Sequence, residues 1–138
     1  MNVEDIKKFT FTLDGARCDY PFEDDFVTFV LRHAASKKWF GIYLSAPLKS
    51  LLRDCEGEKR EKVLCMFCGK DRVFALNLKC DPFLATVLAH NYAGILPAYH
   101  MNKKHWISVL MGSDADDEQI KQLITLSYDI TAARRDKK

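Results

Sequence analysis

No stretch of this 138-residue sequence stays apolar for anything near the ~18 residues a membrane-spanning helix requires. A membrane partner is therefore not expected. The opening Met1-Asn2-Val3-Glu4-Asp5 is acidic and lacks the apolar segment of a secretory signal, so the expected compartment is the cytoplasm. Glycine and proline are scarce, at six and four, and neither GxGxxG nor a P-loop occurs. Ser108 and Ser127 lie on apolar-patterned elements with no glycine-rich elbow beside them. The acidic pairs Asp24-Asp25 and Asp116-Asp117 fall in a loop and at a helix start, where solvation and the helix dipole account for them. No catalytic constellation, metal site or cofactor is expected. Five cysteines, an odd number, point to free thiols in a reducing compartment. Cys65-Met66-Phe67-Cys68 has the CxxC spacing, but its surroundings read as strand and turn rather than as the helix N-terminus that a redox pair uses.

What is present suits one folded domain spanning residues 1–138, with a monomer as the expected state. The chain is 48% hydrophobic and 29% charged, which excludes disorder, and its length allows burial of roughly two thirds of the unfolded surface. The net charge of +2 is unevenly spread: residues 1–25 carry −4, residues 26–111 +7, residues 112–129 −4 and residues 130–138 +3. A basic middle between acidic flanks leaves room for one positive face.

Hydrophobic periodicity predicts a helix over about residues 3–13, capped by Asn2 and stopped at Asp14-Gly15. Phe26–Leu31 and Trp39–Leu44 read as a hairpin with a basic connection at residues 33–38. Residues 45–62 read as a solvated charged excursion with at most one short helical turn, followed by strands at Val63–Phe67 and Val73–Leu78. Asp81-Pro82 opens a helix that Gly94 ends. Leu96–His100 and His105–Leu110 form a second hairpin. A long helix opens within Asp114–Glu118 and carries Arg134 and Arg135 at its C-terminal end. This order gives an α+β fold with an antiparallel sheet.

In the second hairpin, His100 and His105 should face each other across the strands, with Lys103 and Lys104 at the tip and Trp106 behind. Lysines, imidazoles and an indole projected together suit a phosphate backbone. Tip lysines also keep a strand edge soluble, and a tryptophan can simply pack in the core.

Several runs resemble the MmcQ/YjbR family over nearly the whole chain: Asn77-Leu78-Lys79-Cys80-Asp81-Pro82, Gly94 to Val109, and Ser127-Tyr128-Asp129. Tyr20-Pro21-Phe22 and Lys38-Trp39-Phe40 fit the same pattern. The resemblance implies a CyaY-like α+β fold, a twisted antiparallel sheet with N-terminal, middle and C-terminal helices packed on one face. It also implies DNA binding through a double wing. The signature carries over onto Lys79, Asp81, Pro82, His100, Asn102, Lys103, His105, Trp106, Ser127 and Tyr128. The expected DNA-contacting residues are then Lys37, Lys38, Lys79, His100, Lys103, Lys104, His105 and Trp106, joined by Arg32. Residues 49–62 and 65–72 depart from shorter members and leave the strand count there open. The alternative is a protein- or small-molecule-binding module that uses the sheet near Tyr99, His100 and Trp106 and has no nucleic-acid role.

Overall fold

Local chemistry sets the first element. Asn2 accepts the Asp5 amide and the Asp5 carboxylate accepts the Asn2 amide, a capping box that starts α1 (Val3–Phe11). The computed structural model describes residues 1–132. After α1 the order is β1 (Ala16–Asp19), β2 (Phe29–His33), β3 (Trp39–Pro47), α2 (Leu48–Leu51), α3 (Gly57–Met66), β4 (Arg72–Lys79), α4 (Pro82–Asn91), β5 (Ile95–Pro97), β6 (Trp106–Leu110) and α5 (Asp117–Ile130). The six strands form one antiparallel sheet in the order β1-β2-β3-β4-β6-β5. The α+β class and the single antiparallel sheet agree with the sequence reading.

Side-chain alternation gives the sheet two faces. On the first, Phe29, Leu31, Tyr43, Leu76, Leu78, Ile107 and Val109 pack with Ile6 of α1, Leu88 of α4 and Ile120, Leu123 and Ile124 of α5. On the second, Ala46, Val73, Ala75, Leu96 and Leu110 pack with Leu48 and Leu51 of α2, Leu52, and Val63 of α3. Helices thus cover both faces rather than one. The segment expected to be a solvated excursion encloses a second core, and Val63 belongs to α3 instead of a strand. Its run Val63-Leu64-Cys65-Met66-Phe67 is apolar enough for either state, and burying Val63 and Phe67 against the sheet decides for the helix.

Other boundaries shift for local reasons. Asp81 accepts the Phe83 and Leu84 amides and Pro82 takes the first turn, as expected, but α4 ends at Asn91. Asp116 caps α5, within the Asp114–Glu118 span where its start was expected, and Asp114 receives the Ala93 and Gly94 amides. Strand β1 was not anticipated. The expected Arg134 and Arg135 lie outside the described residues.

At the β2–β3 pairing the register slips between Leu31 and Arg32, so Leu31 opposes Gly41 while Arg32 opposes Trp39. A Cβ at Gly41 would lie 2.7 Å from Leu31 Cδ1, which explains the glycine at this bulge.

Candidate functional site

Strand direction decides where the basic loops emerge. Define the upper end of the sheet as the one where β3 and β6 begin. Because Gly41 opposes Leu78 and Lys79 opposes Trp106, β4 finishes at that end. The antiparallel partners β2 and β5 finish there as well. The loop 34–38, the loop 98–105 and Lys79 therefore all sit at the upper end. Three strand spacings separate the two hairpins, about 14 Å.

In the first loop, His33 N–H donates to Lys38 O and Lys37 N–H to His33 O, at 2.9 and 2.8 Å. Lys37 closes the turn in the left-handed region, at φ 64°. Lys37 and Lys38 are both exposed. His33, buried beneath this turn, donates from Nε2 to Thr131 Oγ1 at 2.9 Å; that hydroxyl's own proton is committed to Ser127 O. Burial holds the His33 pKa below its ordinary value, and Lys38 adds to the lowering, against a raising contact with the Tyr128 backbone.

The second loop is wider than a tight hairpin. The strands stop at Pro97 and Trp106, so His100 and His105 are not cross-strand partners. His100 adopts φ 61° with its ring 3.9 Å from that of Tyr99. His105 holds the base of the loop through its backbone, accepting the Cys80 amide and donating to Asn102 O. Asn102 Oδ1 accepts the Lys104 amide, the turn role its residue type suggests. Lys103 is not a free tip charge, because its Nζ turns back to donate to Ala98 O at 2.9 Å. Arg32 is also committed, paired with Asp19 on the neighbouring strand. Among the described residues, Lys37, Lys38, Lys79 and Lys104 have no carboxylate within salt-bridge distance. The Asp81 carboxylate at this end is occupied by the cap of α4.

Two buried serines explain most of the remaining signature. Ser127 Oγ donates to Phe40 O and accepts the Lys79 amide, joining β3 to β4 at the upper end. Ser108 Oγ donates to Asn77 Oδ1 and accepts the Tyr99 amide, while Asn77 Nδ2 donates to Tyr99 O at 2.9 Å. Both hydroxyls hold backbone in place. Asn77 and His33 were missed because their partners are distant in sequence.

The second face is open near the upper end. Trp39 of β3, Lys79 of β4 and Trp106 of β6 stand there, with Trp39 36% exposed and the Phe22 ring edge-on to it. Beside the second loop, a cavity of about 340 Å³ opens between α2, α4 and β5. Leu51, Leu96 and Tyr99 supply its apolar wall, and Asp54, Glu56, Lys59 and Lys103 its charges. Lys59 Nζ donates to Ala89 O, Tyr92 O and Ile95 O, and burial lowers its pKa. Cys65 and Cys68 sit at the C-terminal end of α3, opposite to the placement a redox CxxC uses. Burial and Asp81 push the Cys80 thiol up to about 11, so it is protonated at neutral pH. Among the described residues no group of three His, Cys, Asp or Glu side chains is placed to hold a metal ion, and no helix is long and apolar enough to cross a membrane.

Comparison with known proteins places this arrangement. The uncharacterised protein YyaQ of Bacillus subtilis (strain 168) is 34% identical over 128 residues, covering 93% of this chain and 96% of its own. A crystal structure from Pseudomonas syringae, target PsR293, superposes with a TM-score of 0.76 at 29% identity, over 96% of this chain and all of that one. Deinococcus radiodurans DR2400, at 22% identity and a TM-score of 0.65 over 97% of this chain and 80% of that one, shares the fold. The YjbR family model matches residues 11–130, and the chain belongs to the YjbR (MmcQ) family.

Proposed function

We propose that the upper end of the sheet binds DNA, without sequence preference, through phosphate contacts from Lys37, Lys38, Lys79 and Lys104. The observation that carries this reading is the convergence of two basic loops and Lys79 on one end of the sheet. Their ~14 Å separation compares with a major groove about 12 Å wide, so the loops can act as two wings astride a backbone. No helix presents a basic face to read bases. The free cysteines fit a cytoplasmic setting. A second reading, a small-molecule site, is favoured by the cavity beside Tyr99 and Lys103 and would give binding insensitive to salt.

Fluorescence anisotropy with a labelled 20-base-pair duplex, titrated between low and high salt, tests the proposal. Charge reversal of Lys38 and Lys104 together should abolish most binding and flatten the salt slope. Reversal of Lys103 should act through loop structure more than through charge. Affinity unchanged by the double reversal would sink the assignment.

A further inference from the structure

The lysines account for attraction to phosphate but not for what stands between them. At the upper end of the second face stand Trp39 of β3, opposite Arg32 of β2, and Lys79 of β4, opposite Trp106 of β6: two indoles with an ammonium on the strand between them. Two strand spacings, about 10 Å, separate the indoles. The α2–α3 pair that covers this face packs against Ala46, Val73, Ala75, Leu96 and Leu110 and not against these three, of which Trp39 is exposed and Lys79 and Trp106 are half-buried. Trp39 keeps 36% of its surface in water and Phe22 half of its own, with the rings edge to face at 6.4 Å. Tyr99 packs against the core of the same face, with the His100 ring 3.9 Å from its own.

An exposed tryptophan beside unpaired lysines is poorly matched to a closed duplex. There the base faces are stacked inside and only edges and phosphates are presented. In a single strand the faces are free, and every base offers a surface for an aromatic ring while the lysines meet the backbone. We propose that the second face at the upper end is a stacking platform for single-stranded polynucleotide, with bases on Trp39 and Trp106 and phosphate at Lys79, Lys38 and Lys104. The inference rests on the charge reading above and names its ligand class.

The chain has only two tryptophans, and both lie in the platform, so intrinsic fluorescence reports occupancy directly. Twelve-residue oligo(dU), twelve-residue oligo(rU) and a 12-base-pair mixed duplex are titrated at one fixed low salt concentration, and the difference between the first two identifies the preferred sugar. Either single strand should bind at least several-fold tighter than the duplex and quench tryptophan emission. Trp39→Ala should weaken single-strand binding roughly five- to hundredfold, and Trp39→Phe should retain most of it. Duplex affinity should change less than about twofold, since phosphate contacts carry it. The melting temperature of Trp39→Ala verifies that the variant is folded. Duplex binding as tight as single-strand binding, with Trp39→Ala harmless, would overturn the platform and leave the lysine reading standing. Absence of binding to all three oligonucleotides would overturn both.

Discussion

Lys37 and His33 show how one turn serves two purposes. Lys37 holds a left-handed conformation that costs a side-chain-bearing residue roughly 1 kcal/mol relative to glycine. Lys37→Gly should therefore raise stability by about that amount in urea titrations. The same change should reduce the salt slope of DNA binding by about one. His33 sits below, neutral and buried. Since its folded pKa lies below the ordinary 6.5, the unfolded chain binds more protons between those two values, so stability rises with pH across that window and is lost as pH falls through it. The urea midpoint should drop between pH 7.5 and pH 5.5, and His33→Phe should flatten the dependence. Asp25, lowered by the Thr28 and Val27 amides it accepts, acts only below about pH 3.8 and does not contaminate the test. Caps such as Asn2 and Asp81-Pro82 were legible in the sequence because their partners lie within three residues. His33 was not, because Thr131 is 98 residues away.

Among the elements, α3 differs most from its sequence signal. The first half of Gly57–Met66 is charged and the helix buries only Val63, so helical periodicity is faint and the short apolar run at its C-terminal end passes equally for a strand. Its position depends on a contact that no pattern reveals: Lys59 reaches the last carbonyls of α4 and the first of β5, at 2.6–2.9 Å. Lys59→Met should destabilise the fold by about 1.5–3 kcal/mol, since three carbonyls lose a charged donor. Far-UV circular dichroism during urea unfolding measures this. A variant as stable as the parent would show that water replaces the ammonium without cost. Strand β1 escaped notice because Ala16-Arg17-Cys18-Asp19 is short, half polar and at the sheet edge. The two basic loops were legible, but the width of the second was not. Ala98–His105 is closed by backbone bonds to Asn102 and by Lys103 rather than by continued pairing.

For the whole molecule, what matters is which charges remain available. Of the cations expected to meet DNA, Arg32 and Lys103 are committed to internal partners, and four lysines remain. Four phosphate contacts predict a slope of log affinity against log salt of about −3 to −4 on duplex DNA. A slope near zero, measured by anisotropy, would favour the cavity as the functional site instead. The family and the α+β class could be read from sequence motifs. That both loops share an end could not, because it depends on β4 pairing with β6 across α4 and β5.

Ser127 fastens β3 to β4 directly under the gap between the two basic loops, and it does so from α5, the last helix described. The gap is thus clamped from behind by α5, like a caliper locked before measuring. For the polynucleotide proposed to bind there, this preset width favours strands pliant enough to bend into it.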